Sequence, residues 1–286
     1  MADLAERIEA SIENPNGELW FPELTANLAA RAWDNLNDLG LTPDSYGTER
    51  VLSRHISAPR EIITSLKTSP SAGAPTIAIE ALTEERAAGY QKKGVCFYSP
   101  NEIVHTTAPS CIEDALAIVN QVPSLMSTVA VLVRSLHVIK PEDEEHDVSF
   151  SEPHAPFSIF VSVPEKRIAD DRLRVAEAIV HEAMHLQLTL IEGIQPLVNR
   201  TEERYFSPWR GEFRNAQGLL HGLYVFRVIA QFLGNINVSN YSDPGYVSRR
   251  WSEIASETNQ ILSFSDCPEL TCIGSRFVGR LFHPSL

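Results

Sequence analysis

Three residues within five positions carry the most chemistry in this chain: His181, Glu182 and His185, in the pattern HExxH. On a helix, residues four apart share a face and lie about 6 Å from each other, so both imidazoles can meet one divalent ion without bending the backbone. Glu182 falls roughly 100° around from His181 and can reach the open side of that ion. There it can take a proton from water or orient a ligand. Five-residue patterns of this kind also arise by chance on solvated helix faces. Here the surrounding helix is apolar on most of its circumference (Leu173, Ala176, Ile179, Val180, Ala183, Met184, Leu188), so it is expected to be buried and its polar members need a purpose. The first expectation is therefore a metalloenzyme.

A third ligand would decide the chemistry. The metzincin extension, a glycine and then a histidine at set spacing after His185, is absent. Glu192 shares the histidine face but lies seven residues beyond His185, about 10 Å up the helix, which suits a group behind a ligand or at the surface. His221, flanked by Gly218 and Gly222, is a better candidate, because glycines beside it would let the motif helix cross closely. Glu212, Glu202 and Glu203 are carboxylate alternatives, and a lone buried histidine is often structural. Arg210, Arg214, Gln217 and His221 follow spacings of four, three and four, and on one helix they would form one face. That face would suit a dicarboxylate held at one end by a metal and at the other by a guanidinium, whose planar fork binds carboxylates bidentately. The plainer alternative pairs Arg210 and Arg214 with Glu203 or Glu212 on the surface. Trp209 and Phe213 could line a peptide groove, although aromatic residues at helical spacing are more often core.

The elements that must position these residues read as mainly α with a small antiparallel sheet or hairpin. Leu4, Ile8 and Ile12 mark a first helix, and a second runs from about Glu23 to Leu39, stopped by Gly40 and Pro43. Thr68 to Pro75 reads as a loop. Helices are expected at 112–120 and 123–137, followed by a charged loop from Lys140 to His146. Val148, Phe150 and the run Phe157 to Val163 alternate and are aromatic or β-branched, predicting two short strands with Pro153 and Pro156 in their turn. His154 lies in that turn and is not expected to be a ligand. The motif helix then runs from Asp170 and Asp171 to about Glu192, ended by Gly193 and Pro196. Ser207 and Pro208 read as N-cap and first residue of a long helix ending at Gly234. Helices at about 245–263 and 267–281 close the chain. Residues 1–140 form an expected helical region packed on a catalytic region at 141–286, the two making one compact unit.

A chain of 286 residues can bury a sizeable core. Its formal charge of −13 argues against nucleic acid or an anionic membrane as the main partner. The first 17 residues show no apolar signal-peptide core, and no apolar run is long enough to span a bilayer. Cys96, Cys111, Cys267 and Cys272 show no paired spacing and are expected to be free, buried thiols. A cytoplasmic location is expected.

The blocks Val180-His-Glu-Ala-Met-His185, Ser207-Pro-Trp-Arg-Gly-Glu-Phe-Arg214 and Leu219-Leu-His-Gly-Leu-Tyr-Val-Phe226 together resemble a known family. So does the upstream segment from Phe150 to Phe160. These are the HExxH-motif peptide-modification proteins of ribosomal peptide natural-product clusters, and the resemblance covers roughly residues 147–234. It implies an iron(II)- and 2-oxoglutarate-dependent dioxygenase that hydroxylates the β-carbon of a residue in a precursor peptide, consuming dioxygen. By that resemblance His181, His185 and His221 would hold iron, and Arg210 and Arg214 would hold 2-oxoglutarate. Glu182 would then act beside the metal rather than as a hydrolytic base. The implied site departs from the usual two-histidine, one-carboxylate set of such oxygenases, and the helical reading departs from their jelly roll. The alternative is a zinc metallopeptidase in which Glu182 is the general base. A helical peptide-binding protein without catalysis is the third reading.

Overall fold

A computed structural model of the chain describes residues 4–38, 62–68, 75–143, 147–152, 157–199, 201–237 and 245–283. The expected helix stops at Gly40 and Pro43, most of the Thr68 to Pro75 loop, and the turn containing Pro153, His154 and Pro156 lie outside the described residues. So does the end of the charged loop, at 144–146.

Helices dominate, as the periodicity predicts. Helix α1 (Leu4–Glu13) buries Ile8 and Ile12, and α2 (Pro22–Asp38) buries Leu24 and Leu28. The sheet is the larger departure. Strands β1 (Ile62–Lys67), β2 (Thr76–Glu80), β3 (Cys96–Phe97), β4 (Ser135–Lys140), β5 (Ser149–Phe150) and β6 (Ser158–Ser162) form one six-stranded sheet in the order β1-β2-β4-β6-β5, with β3 also on β4. β2, β4 and β6 run parallel, while β1, β3 and β5 pair antiparallel. The sheet is therefore mixed, not a small antiparallel one. The expected pair at 148–163 is present at its edge, with Ser149 opposite Val161 and Phe150 opposite Phe160.

Parallel neighbours need a crossover connection. Between β2 and β4 it is made by α3 (Glu84–Gln91), α4 (Pro100–Ile103), α5 (Ala108–Val119) and α6 (Pro123–Leu132). The helix expected over 123–137 stops at Leu132, and the chain enters β4. Every residue of β4 except Lys140 is buried, so both of its faces are covered and it lacks the alternation that marks a half-exposed strand. Residues 1–140 are thus not wholly helical, and one sheet joins strands from both sides of residue 140.

The motif helix α7 (Asp171–Glu192) packs against α5, β6 and α8 (Ala216–Asn235). Asp170 sits in the left-handed region (φ 58°) and its side chain makes no capping bond. Asp171 does the anchoring instead, taking Arg167 Nε at 2.6 Å while itself buried. On the side of α7 away from the histidines, the fully buried Gln187 donates to the Trp20 carbonyl (2.6 Å) and to Thr25, and its amide oxygen accepts from the Tyr224 hydroxyl of α8. A buried amide is costly unless its groups are bonded. This knot therefore fixes the rotation of α7 relative to α2 and α8, and with it the direction in which His181 and His185 point.

The long helix expected from Ser207 starts later. Tyr205–Ser207 (β7) and Glu212–Arg214 (β8) form a hairpin, whose turn needs Gly211 at φ 64°. Asn215 then caps α8, its Oδ1 accepting from Gly218 N at 2.8 Å. Helices α9 (Gly245–Asn259) and α10 (Cys272–Phe282) follow. All four cysteines are free. Cys111 and Cys267 are buried as expected, but Cys96 and Cys272 are exposed. Among the described residues no helix is long and apolar enough to cross a membrane.

Candidate functional site

His181 and His185 lie one turn apart on α7, and His221 comes from the facing α8. The three rings stand in a row. His181 Nε2 is 3.1 Å from His185 Nε2, and His185 Nδ1 is 3.1 Å from His221 Nδ1. The row ends on a carboxylate, with His221 Nε2 2.9 Å from Glu192 Oε2. Gln217 Nε2 donates to the same oxygen at 2.8 Å. Glu192 therefore closes the row on His221 and does not reach His181 or His185.

Two imidazole nitrogens bound to one ion at about 2.0–2.1 Å would be about 3.0–3.4 Å apart. The His181–His185 separation fits that range. The third donor is placed differently, because His185 turns one nitrogen to each neighbour. Among the described residues no three His, Cys, Asp or Glu donors surround a single point. The donor chemistry fits a metal nonetheless. Burial, reinforced by the charges of Arg210 and Arg250, lowers the pKa of His181 to about 3. Burial and the neighbouring rings, with Arg210 and Arg214, push His185 well down as well. Both are neutral imidazoles at neutral pH, the form that ligates.

Glu182 is buried on the same helix. Ser149 Oγ of β5 donates to its Oε1 at 2.7 Å, while Oε2 has no hydrogen-bond partner among the described residues. Burial raises its pKa to about 7, against the opposing pull of the Ser149 and Ser151 hydroxyls and Arg210. A buried oxygen without a partner is the kind of atom that a ligand or water completes.

Arg210 and Arg214 do not lie on a helical face with His221, as their spacing predicts. They stand on the turn and second strand of the β7–β8 hairpin, which folds back over α8. They nevertheless reach the same place. A cleft of about 390 Å³ is lined by His181, Glu182, His185, His221, Arg210 and Arg214. A second, of about 310 Å³, shares His181, His185 and both arginines and extends to Trp209 and Phe226. Neither arginine forms an ion pair among the described residues, so the surface pairing with Glu203 or Glu212 does not occur.

The glycines beside His221 serve a different purpose from the one expected. A Cβ on Gly222 would meet Trp209 Cε3 at 2.7 Å, and one on Gly218 would meet Arg214 Nε at 3.1 Å. They admit side chains of the hairpin, not the backbone of α7. Trp209 stacks on Phe226 (centroids 5.1 Å apart, 16° between planes), and Phe226 sets its edge against His181 at 5.3 Å. Trp209 thus walls the cleft. Phe213 does not; it is 58% exposed and pairs with Phe206 on the hairpin. Behind Phe226, Arg250 of α9 lies over the ring and donates to the buried Glu177 at 2.9 Å.

Ser149 and Arg250 carried no signal that singled them out. Asn215 did carry one, since Asn is among the strongest N-cap residues, but Ser207-Pro208 offered a competing helix start. No protein-family model matches the chain, and no curated protein matches it significantly.

Proposed function

We propose that His181, His185 and His221 hold a catalytic divalent metal, and that the protein is an iron(II)- and 2-oxoglutarate-dependent oxygenase. Its substrate is a residue of a ribosomally made precursor peptide, hydroxylated at the β-carbon with dioxygen as oxidant. The observation that carries the reading is the meeting of the neutral His181 and His185, His221, and two arginines without ion-pair partners among the described residues on one cleft, although they come from three separate elements. The choice of iron and of a peptide rests on the family resemblance.

Iron(II) with 2-oxoglutarate, when bound, would supply the oxidising chemistry for the C–H bond. The chain's own residues do the rest. In a protein of net charge −13, the two guanidiniums make the mouth of this cleft locally cationic, which attracts a dicarboxylate and orients it by bidentate hydrogen bonds. Two adjoining clefts leave room for a cosubstrate and a substrate side chain next to each other. Trp209 and Phe226 cover His181 and keep water from that side. Ser149 holds Glu182 by one oxygen, leaving the other directed away from that bond.

One observation favours a second reading, a zinc metallopeptidase. A carboxyl raised to about 7 is matched to taking a proton from attacking water near neutral pH. The two readings separate in one experiment. Anaerobically purified protein, given iron(II), 2-oxoglutarate and oxygen, is expected to form succinate. Zinc content with peptide cleavage and no succinate would assign the site to hydrolysis.

A further inference from the structure

We propose that Glu192 is the positioning residue that sets which nitrogen of His221 serves the metal: it accepts a hydrogen bond from Nε2–H, so that the bare Nδ1 faces the other histidines. The inference rests on the metal reading above for its consequence, but its chemical core concerns the metal-free chain.

The argument begins with the donor inventory. A neutral imidazole has one N–H and one lone pair, and a carboxylate can only accept. His221 Nε2 is 2.9 Å from Glu192 Oε2, and that oxygen also accepts from Gln217 at 2.8 Å. The two side chains are only 14% and 11% exposed, so water competes little for the bond. The proton of a neutral His221 therefore resides on Nε2, and Nδ1 is the bare nitrogen. Nδ1 lies 3.1 Å from His185 Nδ1, which must then be the donor of that contact. His185 Nε2 is left as a lone pair and accepts from His181 Nε2 at 3.1 Å. One carboxylate at the end of the row thus orders three tautomers, with one proton on each ring.

The helix explains why Glu192 can do this and cannot ligate. It lies eleven residues after His181, about three full turns, and so returns to the same face of α7 within roughly 20°. It is also about 10 Å along the axis from His185. The imidazole of His221, arriving from α8, spans that gap with one nitrogen at each end. A carboxylate behind a ligating histidine fixes its orientation and raises its basicity. α7 thus carries two of the three histidines of the row and the carboxylate that supports the third.

The test has two parts. Nitrogen-15 NMR of the imidazoles in metal-free protein is expected to show His221 as the Nε2–H tautomer, a preference lost in Glu192→Ala and largely kept in Glu192→Gln, whose amide oxygen still accepts. Titration with iron(II) under argon, and with zinc(II), is expected to give Glu192→Ala an affinity about 10–100-fold weaker than wild type, partly rescued in Glu192→Gln. An Nδ1–H tautomer of His221 in the wild type overturns the proposal. So does wild-type affinity in a folded Glu192→Ala variant. Failure of the wild type to bind either ion would instead overturn the metal reading itself, and with it the ligating role of Nδ1.

Discussion

Replacing Gly222 by alanine tests the way the hairpin is fastened over the site. The new methyl would stand 2.7 Å from Trp209 Cε3 and 2.9 Å from Cζ3. Comfortable carbon contacts are about 3.5–4.0 Å, so the indole must retreat by about 1 Å. It cannot do so freely, because the indole is also stacked on Phe226, whose edge rests on His181. Overpacking of this kind costs about 1–3 kcal/mol. Against it stands the gain of about 0.5–1 kcal/mol that alanine brings to a helix interior. Gly234→Ala supplies the control, since it lies in the same helix and its methyl would meet nothing within 4 Å. The difference between the two variants isolates the clash. Gly234→Ala is expected to be slightly more stable than wild type, and Gly222→Ala to lie about 1–3 kcal/mol below Gly234→Ala. At about 2–4 °C per kcal/mol for a chain of this size, the gap is roughly 2–12 °C in Tm. Urea and thermal unfolding of the two metal-free variants, run side by side, read it directly. A Gly222→Ala protein as stable as Gly234→Ala would refute the packing of Trp209 on α8.

Other consequences are as concrete. Gly274→Ala would place a methyl 1.9 Å from the Leu197 carbonyl oxygen, which is tied to Thr271 N at 2.9 Å and cannot withdraw cheaply; a loss of about 3 kcal/mol or more is expected, seen as a fall in soluble yield or in the urea midpoint. Glu102 closes a capping box, and the Ser99 backbone N–H and hydroxyl, helped by Lys140, hold its pKa below the usual 4.5. Its contribution is therefore present above pH 4.5 and lost as pH falls through the depressed value, so Glu102→Gln should flatten the acid limb of the stability curve. An unchanged limb would count against that bond. Arg210→Ala and Arg214→Ala should each raise the 2-oxoglutarate requirement by about tenfold or more, the worth of a charge-assisted hydrogen bond; unchanged dependence in both would remove the arginines from cosubstrate binding.

What the chain revealed before folding follows from the range of each signal. The spacing of His181 and His185 is a local matter of helix geometry, and α7 carries them as expected. His221 was legible as a residue type in the right helix, but its glycine neighbours were misjudged, because only packing shows that Trp209 and Arg214 occupy the space they leave. Arg210 and Arg214 fall at helical spacing and yet stand on a hairpin. The turn at Gly211 requires a left-handed residue, a demand that an i, i+4 pattern does not express. The sheet was the least legible element. β4 is covered on both faces, so its side chains show no period of two, and an apolar run such as Leu136 to Ile139 reads equally well as the end of α6. Glu192 was legible on its face of the helix, but the span from it to His221 depends on how α7 and α8 cross.

The central claim is a metal held by three histidines, and metal stoichiometry tests it most directly. Protein reconstituted with iron(II) under argon, desalted and analysed for metal should carry close to one ion per chain. His181→Ala, His185→Ala and His221→Ala, each shown to be folded, should carry almost none. Wild-type stoichiometry in His221→Ala would contradict the three-histidine centre, and no bound metal in the wild type would contradict the metal altogether.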